Sequence, residues 1–303
     1  MRVGFLTDEN LLAEDNSEIK KLTEAFEKKG HEIVMLDVRS ARFDAHRQLE
    51  YPTLKHNESI DFFMNWNPCD EALDKPYFEQ LIWLDLRYPT PVPYYAQTIT
   101  CSKIKMSEFF NAVSGLPIPA AYDVSHNLMR HRLIEDLKSG KGPLVLKPDY
   151  GWGGDSVVKV TTPEEASEAM HHFDMSDQRF LVQEFIECGG VDYRAYVVGD
   201  RVVAGIKRVP QDGEWRGNFA LGATPEAFEF SKAQQGDAVR VMKAAKLNFG
   251  AVDLLIDPKT GQHYICEIND CAGTTSIEMC HEGLSLADEV VAMTEAKYGS
   301  LQL

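Results

Sequence analysis

The run Gly250-Ala251-Val252-Asp253-Leu254-Leu255-Ile256-Asp257, the turn Pro258-Lys259-Thr260-Gly261, and the run Gln262-His263-Tyr264-Ile265-Cys266-Glu267-Ile268-Asn269 decide how this chain is read. Two apolar-rich segments flank a Pro/Gly turn, a combination that favours antiparallel pairing. Folding about the middle of the turn sets Asp253 nearly opposite Glu267. Side chains alternate faces along a strand, so Asn269 emerges on the face of Glu267, and two carboxylates and an amide oxygen come within cross-strand reach. Hard oxygen donors in an open cluster suit Mg²⁺ or Mn²⁺, above all beside phosphate oxygens. The same residues would also make an ordinary hairpin with a polar wet face, and the sequence does not set the register that separates the two readings.

A chain of 303 residues buries a substantial core and has room for two domains or several packed subdomains. Its 44% hydrophobic and 26% charged content is that of a soluble globular protein. The formal charge of −16 argues against broad binding to nucleic acid or acidic membranes, because neutralising phosphates needs a basic surface. A polyanionic ligand would have to be held by a local cluster of Lys, Arg and metal. The six cysteines show neither a CxxC pair nor zinc-type spacing, which points to free thiols in a reducing compartment. No segment reaches roughly 18 uninterrupted apolar residues, and Asp8 closes a short apolar start, so a cytoplasmic location is expected.

Val3 to Leu6, Ser17 to Lys29 and Glu32 to Leu36 read as strand, helix and strand, an opening βαβ unit with Gly30 ending the helix. A strand near Asp61 to Trp66 and a helix near Tyr77 to Leu86 follow. The run Tyr88-Pro89-Thr90-Pro91-Val92-Pro93 breaks both kinds of element and sets the first boundary. A helix from Lys103 to Val113 comes next, with strand character at Leu144 to Pro148, Ser156 to Val160 and Phe180 to Ile186. Thr162-Pro163-Glu164-Glu165 has capping-box order, so Pro163 to Phe173 is a helix. Val191 to Val198 and Arg201 to Lys207 form a hairpin about Gly199-Asp200, and a helix near Lys232 to Lys246 precedes the opening hairpin. The fold class is α/β (α+β), divided at 1–95, 96–187 and 188–303.

Lys147 ends a strand and is followed by Gly151, Gly153 and Gly154, a turn able to lay backbone N–H groups against phosphate oxygens. It is not a Walker A loop, since no Gly-Lys-Ser/Thr follows. Glycine-rich turns without a ligand are as common. Val182-Gln183-Glu184-Phe185-Ile186 is an extended segment that could offer backbone groups to an adenine edge, or be a plain sheet strand. Arg194, Lys207, Arg208 and Arg216 lie close to glycine-rich loops in an acidic chain, which suggests an anionic ligand, with surface ion pairs as the rival reading.

In this order the elements resemble the ATP-grasp superfamily, in its glutathione synthetase-like and RimK-like carboxylate-amine ligase branches. The resemblance runs through Lys147, Gly151 to Gly154, Gln183-Glu184, Asp192, Arg194, Arg208, Arg216-Gly217-Asn218, Asp253 and Glu267-Ile268-Asn269, and covers about residues 100 to 280. It implies an ATP-grasp fold preceded by a Rossmann-like domain. By the same resemblance Lys103 and Lys147 contact the nucleotide, Gly153, Gly154 and Asn218 border it, Glu184, Phe185 and Ile186 line the adenine pocket, and Asp192 lies near the ribose. Asp253, Glu267 and Asn269 would hold two Mg²⁺ (or Mn²⁺) ions. Arg216, with Arg194 or Arg208, would stabilise the tetrahedral intermediate formed when an amine attacks an acyl phosphate made from ATP. The implied partners are a small-molecule carboxylate and an amine, an amino acid or peptide, and a homo-oligomer fits both branches.

Three stretches depart from the pattern. After Asn269 the chain reads Asp270-Cys271-Ala272-Gly273-Thr274-Thr275 instead of small residues with a proline; Asn65-Trp66-Asn67-Pro68 stands where a glutathione synthetase shows Arg; and Pro91-Val92-Pro93 replaces its asparagine. The substrate is therefore open, and glutathione synthesis is disfavoured. Cys271 is read as a buried thiol in preference to a nucleophile, and the histidines as surface or hairpin residues. The competing reading is an ATP-binding regulatory or scaffold protein that keeps the fold without turnover.

Overall fold

The computed structural model describes residues 1–7, 17–43, 49–54, 59–65, 75–151, 153–154 and 156–299. Chain order begins with β1 (Arg2–Thr7), the helix Ser17–Lys28 and β2 (Glu32–Asp37). A short ribbon of β3 (Arg42–Phe43) and β4 (Leu49–Glu50) follows, then β5 (Phe62–Asn65). The first sheet has the parallel order β2-β1-β5. β1 is apolar and buried from Val3 to Leu6 because both of its faces are covered, as parallel sheets require. The helix that crosses from β1 to β2 buries Ile19, Leu22 and Phe26 at helical spacing.

After the helices Lys75–Asp85, Tyr94–Thr100 and Lys103–Ala112, a second sheet is built from β6 (Ala121–Asp123), β7 (Leu144–Pro148), β8 (Val158–Val160) and β9 (Phe180–Glu184), in antiparallel order β6-β9-β7-β8. The helices Asn127–Lys138 and Pro163–Met175 pack on it through Leu133, Leu137, Ala166, Ala169 and Phe173. The capping box at Thr162 and Glu165 forms as expected.

The third sheet carries β10 (Asp192–Val198), β11 (Arg201–Val209), β12 (Thr224–Ala227), β13 (Phe249–Ile256) and β14 (His263–Asn269), in antiparallel order β12-β11-β10-β13-β14. One face buries Ala195, Val197, Val252, Leu254, Ile265 and Ile268 under the helix Lys232–Ala244. The other face divides along its length. At one end Tyr196, Val198, Phe249 and Ala251 share a core with β1, the helix Ser17–Lys28 and the C-terminal helix Leu286–Tyr298. At the other end the same face presents Asp192, Arg194 and Asp253 to an open cleft beneath the second sheet.

The strands at Ser156 to Val160 and Phe180 to Ile186 are shorter than expected, starting at Val158 and ending at Glu184. Several elements escape the sequence pattern. Asn127–Lys138 buries only Leu133 and Leu137 and has no continuous apolar stripe. β12, Thr-Pro-Glu-Ala, is a polar edge strand whose proline removes a donor. Trp66 to Pro68, part of one stretch that departs from the family pattern, lie outside the described residues, as do Cys69, Trp152 and Asp155. Among the described residues no helix is long and apolar enough to cross a membrane.

Candidate active site

The turn Pro258 to Gly261 is closed by Asp257, whose Oδ1 accepts from the Lys259 N–H at 2.8 Å, and β13 and β14 pair outward from it. Ile256 opposes His263 and Leu254 opposes Ile265. The register then shifts between Asp253 and Leu254, so Cys266 is an extra residue on β14 and Asp253 faces Glu267. A β-bulge of this kind turns the following residues by one position. Without it Asp253 would face Cys266, and Glu267 would point to the opposite side of the sheet.

Next to Asp253 on the other side stands Arg194 of β10, so Arg194, Asp253 and Glu267 form one row across three strands. A second row, two residues away, pairs Asp192 with Arg208 of β11. The side chains lock this arrangement. Arg194 donates through Nε and Nη2 to the two carboxylate oxygens of Asp253 at 2.7 and 2.8 Å. Arg208 donates to both oxygens of Asp192 and, at 2.9 Å, to Asp253 Oδ2. Asn269 Nδ2 lies 3.3 Å from the same oxygen. Asp253 is 5% exposed and Arg208 4%, so these ions are dry and their mutual geometry matters more than at a surface. Burial opposes the charge on Asp253, but the guanidinium groups of Arg194 and Arg208 outweigh it and hold the carboxyl well below the usual range. Asp192 is pushed up to about 6 by burial, against the pull of Arg208 and with Asp253 adding to the rise.

Asp253, Glu267 and Asn269 offer two carboxylates and an amide from adjacent strands, a hard-oxygen donor set that fits a Mg²⁺ or Mn²⁺ ion. Arg194 and Arg208 occupy part of Asp253; its Oδ1 accepts a single bond, and a carboxylate oxygen has a second lone pair to give.

Above this floor are the two lysines. Lys147, next to last in β7, places Nζ 3.4 Å from the Sγ of Cys266, the bulged residue on the cleft face of β14. Lys103 sits at the first turn of its helix and donates to the Gly151 carbonyl. Burial pushes its ammonium below the usual range, Glu267 pulls the other way, and Lys147 adds to the fall. A residue that the motif reading leaves without a role positions Lys103. Asp149 accepts at Oδ1 from Ser102 Oγ (2.6 Å) and the Ile104 N–H (3.0 Å), and its carbonyl accepts from the Lys103 N–H at 2.9 Å. The signal available in sequence is an acid two residues past the strand-end lysine together with Ser102 at a helix N-cap.

The glycine-rich turn is packed against the loop that carries Arg216. Arg216 Nη1 donates to the Gly154 carbonyl at 2.9 Å, while Nε and Nη2 grip Glu214 at 2.9 Å each. That grip draws the Glu214 carboxyl down to about 2. A side chain at Gly154 would collide with Asn218, and its φ of +76° is a conformation that glycine adopts without strain. Gly217 leaves no room either: a Cβ there would lie 2.9 Å from Asp192 Cγ and 3.0 Å from the Arg208 carbonyl. At the far end, Phe185 packs 5.9 Å from Trp215, with Lys159 Nζ 4.8 Å above the Phe185 ring. Glu184 Oε2 accepts from the Ala120 N–H at 3.3 Å, and Ile186 is buried.

Every site residue named from the sequence lines one cleft of about 320 Å³: Lys103, Lys147, Gly153, Gly154, Glu184, Phe185, Ile186, Asp192, Arg194, Arg208, Arg216, Asn218, Asp253, Glu267 and Asn269. The cleft also takes in Gln183, Cys188, Trp215 and Cys266, which the motif reading did not assign. A model of the RimK-like ATP-grasp domain matches residues 113–294 of this chain.

The chain belongs to the RimK-like ATP-grasp family.

As a member it is an ATP-dependent ligase that forms carbon–nitrogen bonds. It is 36% identical over 306 residues to a probable alpha-L-glutamate ligase of Trichodesmium erythraeum, covering 99% of this chain and 97% of that protein. A probable alpha-L-glutamate ligase of Pasteurella multocida is 35% identical over 163 residues, and that match spans 51% of the relative's length. Among solved structures, D-cycloserine synthetase DcsG superposes with a TM-score of 0.72 at 14% identity over 98% of this chain and 100% of that one. The ATP-grasp ligase PsnB, complexed with a minimal precursor, Mg and ADP, does so with a TM-score of 0.69 at 16% identity over 96% and 97%. At these identities the superpositions establish the shared fold.

Beyond Asn269 the RimK-like chain leaves the third sheet. Asp270 is half-buried, and burial pushes its carboxyl up to about 6, with backbone N–H donors and Thr100 opposing. Cys271 is half-buried against the core, short of the fully buried thiol expected, and its thiol is pushed well above the usual range by burial, with Asp270 adding to the rise. The five described cysteines are free. Glu18, at the start of the first helix, reaches across to the turn at Thr274. Its Oε2 accepts from the Thr274 N–H (2.8 Å) and hydroxyl, and its Oε1 from the Thr275 N–H (3.1 Å) and hydroxyl (2.6 Å).

Proposed function

We propose that this RimK-like protein is an ADP-forming ligase that activates a carboxylate as its acyl phosphate and transfers it to the amine of an amino acid or peptide, with glutamate as one of the joined pair. The observation that carries this reading is the convergence of the lysines, the glycine-rich turn and the in-register acid and arginine rows on one cleft between two antiparallel sheets. The glutamate assignment rests on the full-length relative named a probable alpha-L-glutamate ligase.

Phosphoryl transfer needs placement and charge neutralisation more than a nucleophilic side chain. Lys103 and Lys147 hold the nucleotide phosphates, and the backbone of Gly153 and Gly154 covers them. Glu184, Phe185 and Ile186 frame the adenine, Asp192 stands near the ribose, and Asn218 braces the glycine turn. Asp253, Glu267 and Asn269 hold up to two Mg²⁺ ions, which supply the positive charge that the transferring phosphoryl group needs. Arg216, held by Glu214 beside the glycine turn, keeps the phosphate cover in place and lends charge to the oxyanion formed as the amine attacks, with Arg194 and Arg208 contributing from the floor. Closing off water protects the acyl phosphate. The division at 1–95, 96–187 and 188–303 is proposed as a functional one, with the nucleotide between the second and third units and the acceptor approaching beside the first, near Asp270 to Thr275.

The test is an assay of phosphate and ADP release with Mg²⁺ and ATP, using glutamate with a panel of carboxylates, amino acids and peptides, followed by mass spectrometry. The expected product has the mass of its two substrates less one water. Release at background across the whole panel would overturn the reading.

A further inference from the structure

The charges around the metal-binding residues do not suit a free cation. Lys103, Lys147, Arg194 and Arg208 line the same part of the cleft as Asp192, Asp253 and Glu267, so positive groups outnumber negative ones among the described lining residues there, while the Asp149 carboxylate behind Lys103 is taken up by Ser102 and the Ile104 N–H. Arg216 is matched by Glu214, and Glu184 lies at the adenine end beside Ala120. Asp253, the central donor, is engaged by both Arg194 and Arg208. The protein supplies three donor side chains, one of them already engaged by two arginines, for an ion that takes about six oxygens, and polyphosphate oxygens bring both the missing ligands and the missing negative charge.

We infer that Arg194 is a positioning residue that holds Asp253 ready yet keeps a divalent cation out until a nucleotide arrives, so that metal and nucleotide enter together. The inference rests on the proposed ligase reading. Arg194 acts through Asp253: its two N–H groups fix the plane of the carboxylate, and its charge raises the cost of a second cation on the same group. A unit charge a few ångströms from a divalent ion alters its affinity by about tenfold or more even with strong screening. Arg194 is the side chain to change, because Arg208 is shared between Asp192 and Asp253 and its loss would strand both carboxylates. With Arg194→Met, Asp253 keeps a guanidinium partner in Arg208.

The experiment is Mn²⁺ titration of the full-length protein followed by electron paramagnetic resonance, with and without ADP, for the wild type, Arg194→Met, Arg194→Lys and Glu267→Gln, with folding checked by thermal melts. The ADP–Mn²⁺ complex in buffer serves as reference. The expected result is weak Mn²⁺ binding by the wild type alone, and a gain of at least about tenfold with ADP. Arg194→Met should bind Mn²⁺ about tenfold more tightly than the wild type without nucleotide, while Arg194→Lys, which keeps the charge, should behave as the wild type. Equal Mn²⁺ affinity of the wild type with and without ADP, or no gain in a folded Arg194→Met, would overturn the inference and leave the ligase reading standing. Wild-type binding that is absent even with ADP, or unchanged in Glu267→Gln, would overturn the metal assignment itself and the inference with it.

Discussion

The floor of the cleft and the turn just beyond it are neighbours in sequence and are built on opposite principles. From Asp253 to Asn269 the functional groups are placed by strand register: Arg194, Asp253 and Glu267 meet because three antiparallel strands set them side by side. From Asp270 to Thr275 the chain leaves the sheet and is positioned by a contact with Glu18, more than two hundred residues earlier, and by the Tyr196 hydroxyl donating to the Gly273 carbonyl at 2.8 Å. A register-built site is stiff and can hold a transition state, whereas a turn tied by a few hydrogen bonds can change its acceptor without disturbing phosphoryl transfer.

Glu267→Gln should show the largest effect on chemistry. Glu267 stands outside the arginine pairs, so removing its charge should cut phosphate release by about a hundredfold or more while the melting temperature stays within a degree or two. Near-normal turnover would break the contrast by showing that the floor does not carry the metal. Asp253→Asn should lose as much activity and also lose stability, by about 3 kcal/mol, because Arg194 and Arg208 are left with an uncharged partner in a dry site; chemical denaturation compares the two variants.

Gly217→Ala should come next. Its new methyl presses on Asp192 and the Arg208 backbone, at a cost of about 1–3 kcal/mol, and activity should fall with stability. A silent Gly217→Ala would show that the floor is less rigid than its register implies. The smallest expected effect is Glu18→Gln, about 1 kcal/mol at neutral pH. Burial opposes the Glu18 charge, and the Thr274 and Thr275 donors outweigh it, so its folded pKa lies below the usual value of 4.5. The carboxylate therefore adds stability above that value and loses it as pH falls through the lowered folded value, so the gap in melting temperature between wild type and Glu18→Gln should close in acid. In kinetics, this variant should move KM for the acceptor and leave KM for ATP alone, which sharpens the division between floor and turn.

Much of the floor was legible because its residues are local or fall at strand ends and turns with strong chemical signatures: a Pro/Gly hairpin, a lysine before glycines, a capping box. The roles of Asp149 and Glu214 were not, since each acts on a neighbour through hydrogen bonds that appear only once the 103–112 helix meets β7 and the 214–218 loop meets the glycine turn. Asn127–Lys138 and β12 were missed because they bury few apolar groups and leave little periodicity.

The sequence by itself determined the class of protein, the order of its phosphate-binding, cationic and acidic groups, and the hairpin that brings Asp253 toward Glu267. Only the tertiary structure decided which side of the sheet Glu267 faces. A symmetric hairpin about Pro258 to Gly261 would set Asp253 against Cys266; the bulge at Cys266 moves the partner by one residue, and with a side-chain period of two, one residue is the difference between the cleft and the opposite face of the sheet. The bulge is stabilised by what packs around it: Ile265 and Ile268 both reach the core beneath the helix Lys232–Ala244, three residues apart, which an unbroken strand could not achieve.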